Sequence, residues 1–212
     1  RLLRSGLWTA FRTRPFSRVP PSDSIPRAIF VTAIDTRPLA PDPAVVVAGD
    51  PEAFSTGLQL LTRLTEGAVW LCTAPEWRIT LPGVDRVHHV TFAGPHPAGL
   101  PGTHMHFLDP VGPGRTAWHI GFQDVTAIGR LFRKGTIDTS RVVSLCGACV
   151  NEPRLVTTRL GASLEELLAE GLCETSICRM ISGSVLGGRA ATGTLAYLGR
   201  YHDQVSVLQE GG

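Results

Sequence analysis

The run AIFVTAI at residues 28–34 constrains the fold of this chain most strongly. It is nearly unbroken in β-prone, apolar residues, whereas a half-exposed strand alternates apolar and polar positions. A strand that is apolar on both faces is typical of the centre of a parallel sheet that helices cover. The polar stretch that follows, residues 35–38, would then lie at the strand end where open α/β sheets bind ligands.

Strands and helices are predicted to alternate over residues 28–134. Further strands are expected at residues 69–72, 87–92 and 116–120, from their apolar and β-branched composition. One helix is predicted to begin at Asp50, with Pro51 in its first turn, and to end at Gly67. Another is predicted for residues 124–132 and is closed by Gly135. This alternation indicates an α/β layered domain.

The residues before this alternating region predict a helix and a linker. Apolar residues at helical spacing predict a helix over residues 2–13, stopped by Pro15. A proline-rich linker is expected at residues 17–26. The chain starts without Met and ends at Gly212, so we expect a part of a longer protein.

After residue 135 the elements become shorter. Strands are predicted at residues 141–145, 154–160 and 180–185, with a short helix that Ser163 and Glu166 begin as a capping box. These elements indicate a small β-grasp-like module. The expected domains are therefore residues 1–135, residues 136–190, and a further segment that starts at residues 191–212.

Composition excludes two classes of function. The net charge of +2 over 212 residues is too small to argue for nucleic-acid binding. No apolar run reaches the length that a membrane-spanning helix needs.

Residues 94–108, GPHPAGLPGTHMHFL, form the candidate site. They contain three glycines, three prolines and three histidines, which predicts a shaped backbone rather than a helix or strand. A glycine-rich connection after a strand is where α/β proteins place phosphate or cofactor loops, but these prolines remove amide donors that a phosphate needs. The candidate ligand-binding residues are Gly94, His96, Pro97, Gly99, Gly102, His104 and His106.

The histidines of this segment have three possible roles. They can be structural, they can donate hydrogen bonds or protons to a ligand, or they can bind a transition metal. His104 and His106 would share a face if the stretch were extended. We expect no metal site, because Asp109 is the only carboxylate nearby.

The five cysteines are expected to be reduced thiols. Cys146 and Cys149 form a Cys-x-x-Cys pair, and Cys173 and Cys178 are separated by four residues. The second spacing does not fit a zinc ribbon. We favour buried or partly exposed thiols, with a zinc site as the alternative.

The chain resembles the A-subunit family of the bacterial sodium-translocating NADH:quinone oxidoreductase. The segments that carry the resemblance span nearly the whole chain; they are residues 5–17, 28–43, 94–107, 123–132 and 141–145, with ISGSVLGG and YLGRYHDQVSV. The pair Cys146 and Cys149 departs from the pattern expected for the family.

The resemblance implies a Rossmann-like domain related to the flavin subunit of respiratory complex I, followed by a β-grasp soluble-ligand-binding domain. It implies a peripheral subunit on the cytoplasmic face of the inner membrane, in a complex that passes electrons from NADH to ubiquinone and exports sodium. NADH, flavins and an iron–sulfur centre are expected on other subunits, and no cofactor, catalytic residue or metal ligand on this chain. Its role would be docking on membrane subunits and contact with a quinone near residues 94–108; the alternative is a purely structural scaffold.

Overall fold

A computed structural model describes residues 1–79, 83–169, 171–173 and 177–211. The chain forms two compact units. Unit 1 contains Arg1–Thr36 and Asp42–Asp138, and unit 2 contains Arg37–Pro41 and Thr139–Gly212.

Unit 1 is built on a five-stranded sheet with the strand order β1-β5-β2-β3-β4. The strands are β1 Arg12–Arg14, β2 Ile29–Ala33, β3 Val69–Thr73, β4 Val87–Thr91 and β5 Ala117–Gly121. β5, β2, β3 and β4 run parallel, while β1 pairs antiparallel with β5 at one edge. β2 is the central strand, as its two-sided apolar sequence predicts.

Helices cover both faces of this sheet. They are α1 Leu2–Ser5, α2 Pro43–Val47, α3 Pro51–Leu61, α4 Pro101–Leu108 and α5 Phe122–Lys134. On one face the helices α3 and α5 bury Phe54, Leu58 and Ile128 against the sheet. On the other face Met105 of α4 packs in a smaller core with Phe30 of β2. The mixed α/β class predicted from the sequence is confirmed.

The helix predicted for residues 2–13 is wrong beyond its first turn. Helix α1 ends at Gly6, whose φ of 76° is left-handed, and a 3₁₀ turn follows at Leu7–Ala10. Residues Arg12–Arg14 then join the sheet as β1. Trp8 and Phe11 pack against Trp118 of β5, with ring centroids 5.4 and 5.5 Å apart. This non-local packing outweighs the helical spacing of the sequence.

Asp50 begins α3, as the sequence predicts, although the helix ends at Leu61 rather than at Gly67. Its carboxylate accepts a hydrogen bond from the Ala53 N–H at 3.1 Å and another from Arg130 Nε of α5 at 2.8 Å. Burial tends to raise the pKa of Asp50, but the bonds from Arg130 and Ala53 leave it below its usual value. One carboxylate therefore caps α3 and links it to α5.

Two glycines allow α3 and α5 to approach each other closely. A Cβ added to Gly129 of α5 would lie 1.8 Å from the Ala53 carbonyl oxygen of α3. A Cβ added to Gly57 of α3 would lie 2.1 Å from the Val125 carbonyl oxygen of α5. Because both obstacles are backbone atoms, a larger residue at either position must move a helix.

We predict that Gly129→Ala lowers the free energy of unfolding by on the order of 3 kcal/mol, because the helices must separate. Urea titration followed by circular dichroism measures it. The matched control is Gly102→Ala, since a Cβ at that helical glycine meets nothing within 4 Å. We expect the control to change stability by no more than about 1 kcal/mol; equal losses in both variants would contradict the packing argument.

Unit 2 contains a second five-stranded sheet with the order β7-β6-β10-β8-β9. Its strands are β6 Ser140–Cys146, β7 Arg154–Arg159, β8 Cys178–Ser182, β9 Arg189–Ala190 and β10 Gln204–Gln209. The pair β6–β10 is parallel and the other pairs are antiparallel. The predicted short helix is α6 Leu164–Leu168, and the Ser163 side chain caps it by accepting from the Glu166 N–H at 3.3 Å.

The segment that the sequence predicts to begin at residue 191 contains a strand of the second sheet, β10. Strand β10 lies in the middle of the second sheet, between β6 and β8. Its residues Val205 and Val207 are fully buried in the core of unit 2 with Val143 of β6. The central strand of the second sheet is therefore the last strand in the chain order.

The longest helix in the described ranges is α5, with 13 residues. Within those ranges no helix combines the length and the apolar character that crossing a bilayer requires.

Candidate functional site

Residues 94–100 lie over the carboxyl end of β2 and are held there by Thr36. The Gly99 N–H donates a hydrogen bond to Thr36 Oγ1 at 3.0 Å. The same oxygen lies 3.2 Å from His96 Nδ1. Three residues from two separate parts of the chain thus meet at the end of the central strand. We call Thr36, His96 and Gly99 the Thr36 cluster.

Gly99 brings the loop backbone into direct contact with the end of the strand. A Cβ at this position would lie 2.7 Å from the Thr36 nitrogen and 3.0 Å from the Ile34 carbonyl oxygen. Only glycine fits such an approach. The carboxyl end of a central parallel strand is the usual ligand position of α/β sheets. At this point of unit 1, the protein's own backbone occupies that position.

Thr36 orients the imidazole ring of His96. Thr36 Oγ1 accepts from the Gly99 N–H, and the same oxygen lies at hydrogen-bond distance from His96 Nδ1. A hydroxyl oxygen has two acceptor sites and one hydrogen, so it bonds His96 Nδ1 in either tautomer of the ring. When Thr36 donates to Nδ1, the ring hydrogen is on Nε2. His96 is half-buried, so the cluster sets the direction of one imidazole at the ligand edge of the sheet.

The prediction of a shaped backbone is wrong for residues 101–108, which form helix α4. Pro101 is at the first helical position, where its fixed φ is favourable and its missing N–H costs nothing. Residues two apart on a helix point about 200° away from each other. His104 and His106 therefore do not share a face: His104 is fully buried, whereas His106 is exposed beside Phe107.

His104 is a buried, neutral side chain. Its Nε2 donates to the Ala98 carbonyl oxygen at 2.9 Å, and its ring lies 4.3 Å from that of Phe92. Burial lowers the pKa of His104 to about 4, although the bond to Ala98 opposes this. It connects α4 to the loop, and at neutral pH its one ring N–H is bonded to the Ala98 carbonyl oxygen.

Sequence reasoning missed a group of polar side chains on the sheet face that α4 covers. The sheet register places His119 of β5 beside Phe30, with Trp70 on the other side of Phe30. In the described part of the chain, His119 Nε2, Trp70 Nε1 and His104 Nδ1 are buried without a hydrogen-bond partner. Burial, followed by the charges of Arg14 and Arg12, lowers the pKa of His119 to about 3. Only the strand register reveals this group, and no local motif indicates it.

The structure separates the seven candidate residues. His96 and Gly99 meet at Thr36, while Gly94, with a φ of 120°, and Pro97 are exposed on the loop. The other three lie in α4, where Gly102 and His106 are exposed and His104 is buried.

The cysteines divide between the two units. Cys72 of β3 is buried in unit 1, and burial raises the pKa of its thiol to about 12. In unit 2 the buried Cys146 thiol donates to the Val205 carbonyl oxygen at 3.4 Å. Across the residues that the structure covers, no three His, Cys, Asp or Glu side chains are arranged to hold a metal ion. Among the described residues, the zinc alternative therefore finds no ligand set.

The fold and the Thr36 cluster define a two-unit α/β protein with a glycine- and proline-rich loop at the ligand edge of a parallel sheet. The family described as "NqrA second alpha/beta domain" matches residues 1–137, and the one described as "NQRA C-terminal domain" matches residues 142–193. The chain belongs to the NqrA family.

Curated relatives support this assignment along the whole chain. They are A-subunits of Na(+)-translocating NADH-quinone reductase: that of Rhodopirellula baltica is 57% identical over 211 residues, and that of Pseudomonas aeruginosa is 59% identical over 212 residues. Each alignment covers 99% of this chain and 46% of the relative. The chain thus spans about half the length of these relatives.

A solved structure shares the fold at low identity. The NAD⁺-reducing [NiFe]-hydrogenase in its H₂-reduced state superposes with a TM-score of 0.65 at 14% sequence identity. The match covers 98% of this chain and 46% of the hydrogenase chain. At this identity the likeness concerns the fold alone.

The buried His104 predicts a loss of stability in acid. Its pKa falls from 6.5 to about 4 on folding, so between these values the unfolded chain binds a proton that the folded chain does not. Stability therefore decreases as the pH falls from 6.5 towards 4, by on the order of 3 kcal/mol from this residue.

The His104→Gln variant tests this effect by urea titration at a series of pH values. We expect the stability difference between wild type and variant to shrink as the pH falls through this range. His119 remains in both proteins and contributes to both profiles. Parallel pH profiles would show that His104 is not buried in its neutral form.

The Thr36 hydroxyl is predicted to hold the loop. Thr36→Val keeps the shape but leaves the buried Gly99 N–H without an acceptor, at a cost of about 1–3 kcal/mol in unfolding free energy. Limited proteolysis should also cut within residues 94–100 faster. Thr91→Val, at an exposed threonine on the end of β4, is the control and should leave both properties unchanged. Unaltered cleavage of Thr36→Val would argue against the cluster.

Proposed function

We propose that this chain is part of the A-subunit of a sodium-translocating NADH:quinone reductase. The observation that carries the proposal is the identity of 57–59% to relatives of that name over 99% of the chain. The complex passes electrons from NADH to ubiquinone and couples this transfer to sodium export. The chain would lie in a peripheral subunit on the cytoplasmic face of the inner membrane, with the other subunits, including one in the membrane, as its partners.

The two units would have separate structural roles. We infer that unit 1 is a Rossmann-like domain, since four parallel strands carry helices on both faces. We infer that unit 2 is a β-grasp domain of the soluble-ligand-binding type, since a mixed sheet packs against the short helix α6. The labels also agree with the fold that the family resemblance implies.

Unit 1 would no longer bind a flavin or dinucleotide at the end of β2. The close contact of Gly99 with Ile34 and Thr36 puts loop backbone where a cofactor would approach. Pro95, Pro97 and Pro101 remove three amide donors from the same segment. NADH, flavins and the iron–sulfur centre would therefore belong to other subunits.

The Thr36 cluster would instead contact a quinone. A quinone carbonyl oxygen accepts hydrogen bonds, and His96 offers an Nε2–H donor in the tautomer that accepts from the Thr36 hydroxyl at Nδ1. His104 is excluded from direct contact by its complete burial. The loop residues Gly94, Pro97 and Gly99 would shape the approach to His96, whereas Gly102 and His106 lie on α4.

The second candidate is a purely structural role, in which the quinone binds a membrane subunit. The close approach of the Gly99 backbone to Thr36 and Ile34 is compatible with this candidate as well, because it holds the loop at the strand end without a ligand.

Photo-crosslinking with an azido-ubiquinone analogue distinguishes the two candidates. We expect the purified chain to be labelled within residues 94–100, with competition by excess ubiquinone. His96→Ala should reduce the labelling at least about threefold, on the basis of one lost hydrogen bond of about 1 kcal/mol. Labelling at background level throughout would leave only the structural role.

His106→Ala is the matched control, because His106 is an exposed histidine of the same segment on α4. It should be labelled like the wild type. Assembly is tested separately: an NqrA protein that carries this chain in place of its matching stretch should copurify with the other subunits. Failure to copurify would contradict membership of the complex, independently of the quinone result.

A further inference from the structure

Strand β7 forms one edge of the second sheet. It has six residues, more than β1, β4 or β9, the other edge strands in the described ranges. All six residues pair with β6 in one register, from Arg154 opposite Leu145 to Arg159 opposite Ser140. Many sheet edges are protected from further pairing by a bulge or a proline. β7 contains neither, so its outer side is a regular template for another strand.

The backbone groups of β7 point alternately towards β6 and away from it. The Leu160 N–H donates to the Thr139 carbonyl oxygen at 2.9 Å, directly after the strand. From this bonded pair, bonded and non-bonded positions alternate along an antiparallel ladder. The even-numbered residues of β7 therefore bond to β6. The odd-numbered residues, Leu155, Thr157 and Arg159, direct their N–H and carbonyl groups outward.

Most of these outward groups have no partner among the residues that the structure describes. The Arg159 carbonyl oxygen accepts from the Ala162 N–H at 3.2 Å. Within the described ranges, the other carbonyl groups and all three N–H groups form no hydrogen bond. The side chains of Leu155, Thr157 and Arg159 are exposed as well. The edge can thus donate and accept the backbone hydrogen bonds of one more strand.

A cleft lies beside this edge on the face that α6 covers. On this face Val156 packs into the core with Leu164 of α6. Thr158 of β7 and the residues Ser163 and Glu166 line the cleft, whose volume is about 440 Å³. A further strand would lie about 4.8 Å beyond β7 and would point every second side chain to this face. The cleft has room for those side chains.

We propose that the outer edge of β7 binds an extended segment of a partner protein, which adds as an antiparallel strand and places an acidic residue opposite Arg159. Arg159 is exposed on the face away from α6, and opposite charges in a cross-strand pair attract each other. Leu155 on the same face suits an aliphatic residue. Glu166 lines the cleft, so the side chains that enter the cleft are neutral.

A second copy of β7 fits this edge less well than an acidic segment does. Thr157 is the middle one of the three outward residues, so two antiparallel copies would pair about Thr157. Each Arg159 would then lie opposite a Leu155, and neither guanidinium group would gain an anionic partner. The charge of the edge therefore favours a different chain as the occupant.

NMR titration of the ¹⁵N-labelled purified chain tests the proposal. The probe is a blocked synthetic peptide with Glu-Val-Thr-Val-Leu at its centre, which matches Arg159, Thr157 and Leu155 in turn and points its valines into the cleft. We expect the largest shift changes, and slower amide exchange, at these three residues. The same peptide with Lys in place of Glu should bind at least about threefold more weakly. No shift changes at millimolar peptide, or changes centred outside β7 and α6, would overturn the proposal.

Variants at two positions separate the backbone contact from the charge contact. Thr157→Pro removes one outward N–H and no bond to β6, so it should fold and bind the peptide at least about fivefold more weakly. Thr157→Val keeps the backbone donor and should bind like the wild type. If Thr157→Pro fails to fold, Arg159→Glu decides: it should prefer the Lys peptide, whereas Arg159→Lys should keep the preference for the Glu peptide. An unchanged preference in Arg159→Glu would contradict the assigned register.

Discussion

The contact between Gly99 and the end of β2, fixed by the Thr36 hydroxyl, is the constraint on which the site in unit 1 depends. It brings two backbones so close that no side chain fits between them. The same hydroxyl bonds the Gly99 N–H and His96, so one residue sets both the loop position and the direction of the imidazole. A sheet edge that is open to cofactors in other α/β proteins is closed here by the chain itself.

Helix α4 extends this constraint to the second face of the sheet. Its first residue follows the loop directly, and His104 donates back to the Ala98 carbonyl oxygen of that loop. Met105 fixes the helix in the core with Phe30. The loop is therefore held from the strand end by Thr36 and from beneath by α4, which explains how a segment rich in glycine and proline keeps one shape. Rigidity of this kind suits both a quinone contact and a docking surface.

Local chemistry made part of this structure predictable. The two-sided apolar run of β2 and the capping residues Asp50 and Ser163 act through neighbours in sequence, and each prediction was confirmed. Strands β1 and β10 depend on partners far along the chain, so their places in the sheets could not be predicted. Helix α4 was missed because its glycine and proline content outweighed its apolar positions. His119 was missed because only the strand register places it near His104.

The most direct measurement is amide hydrogen exchange at Gly99, followed by NMR on the purified chain. If the Gly99 N–H is bonded to Thr36 and covered by the strand end, it should exchange at least about tenfold more slowly than a free loop amide, since a bond of about 1.4 kcal/mol gives this factor. Thr36→Val should remove the protection. Exchange of the wild-type amide at the rate of a free loop would contradict the closed strand end and the fixed orientation of His96.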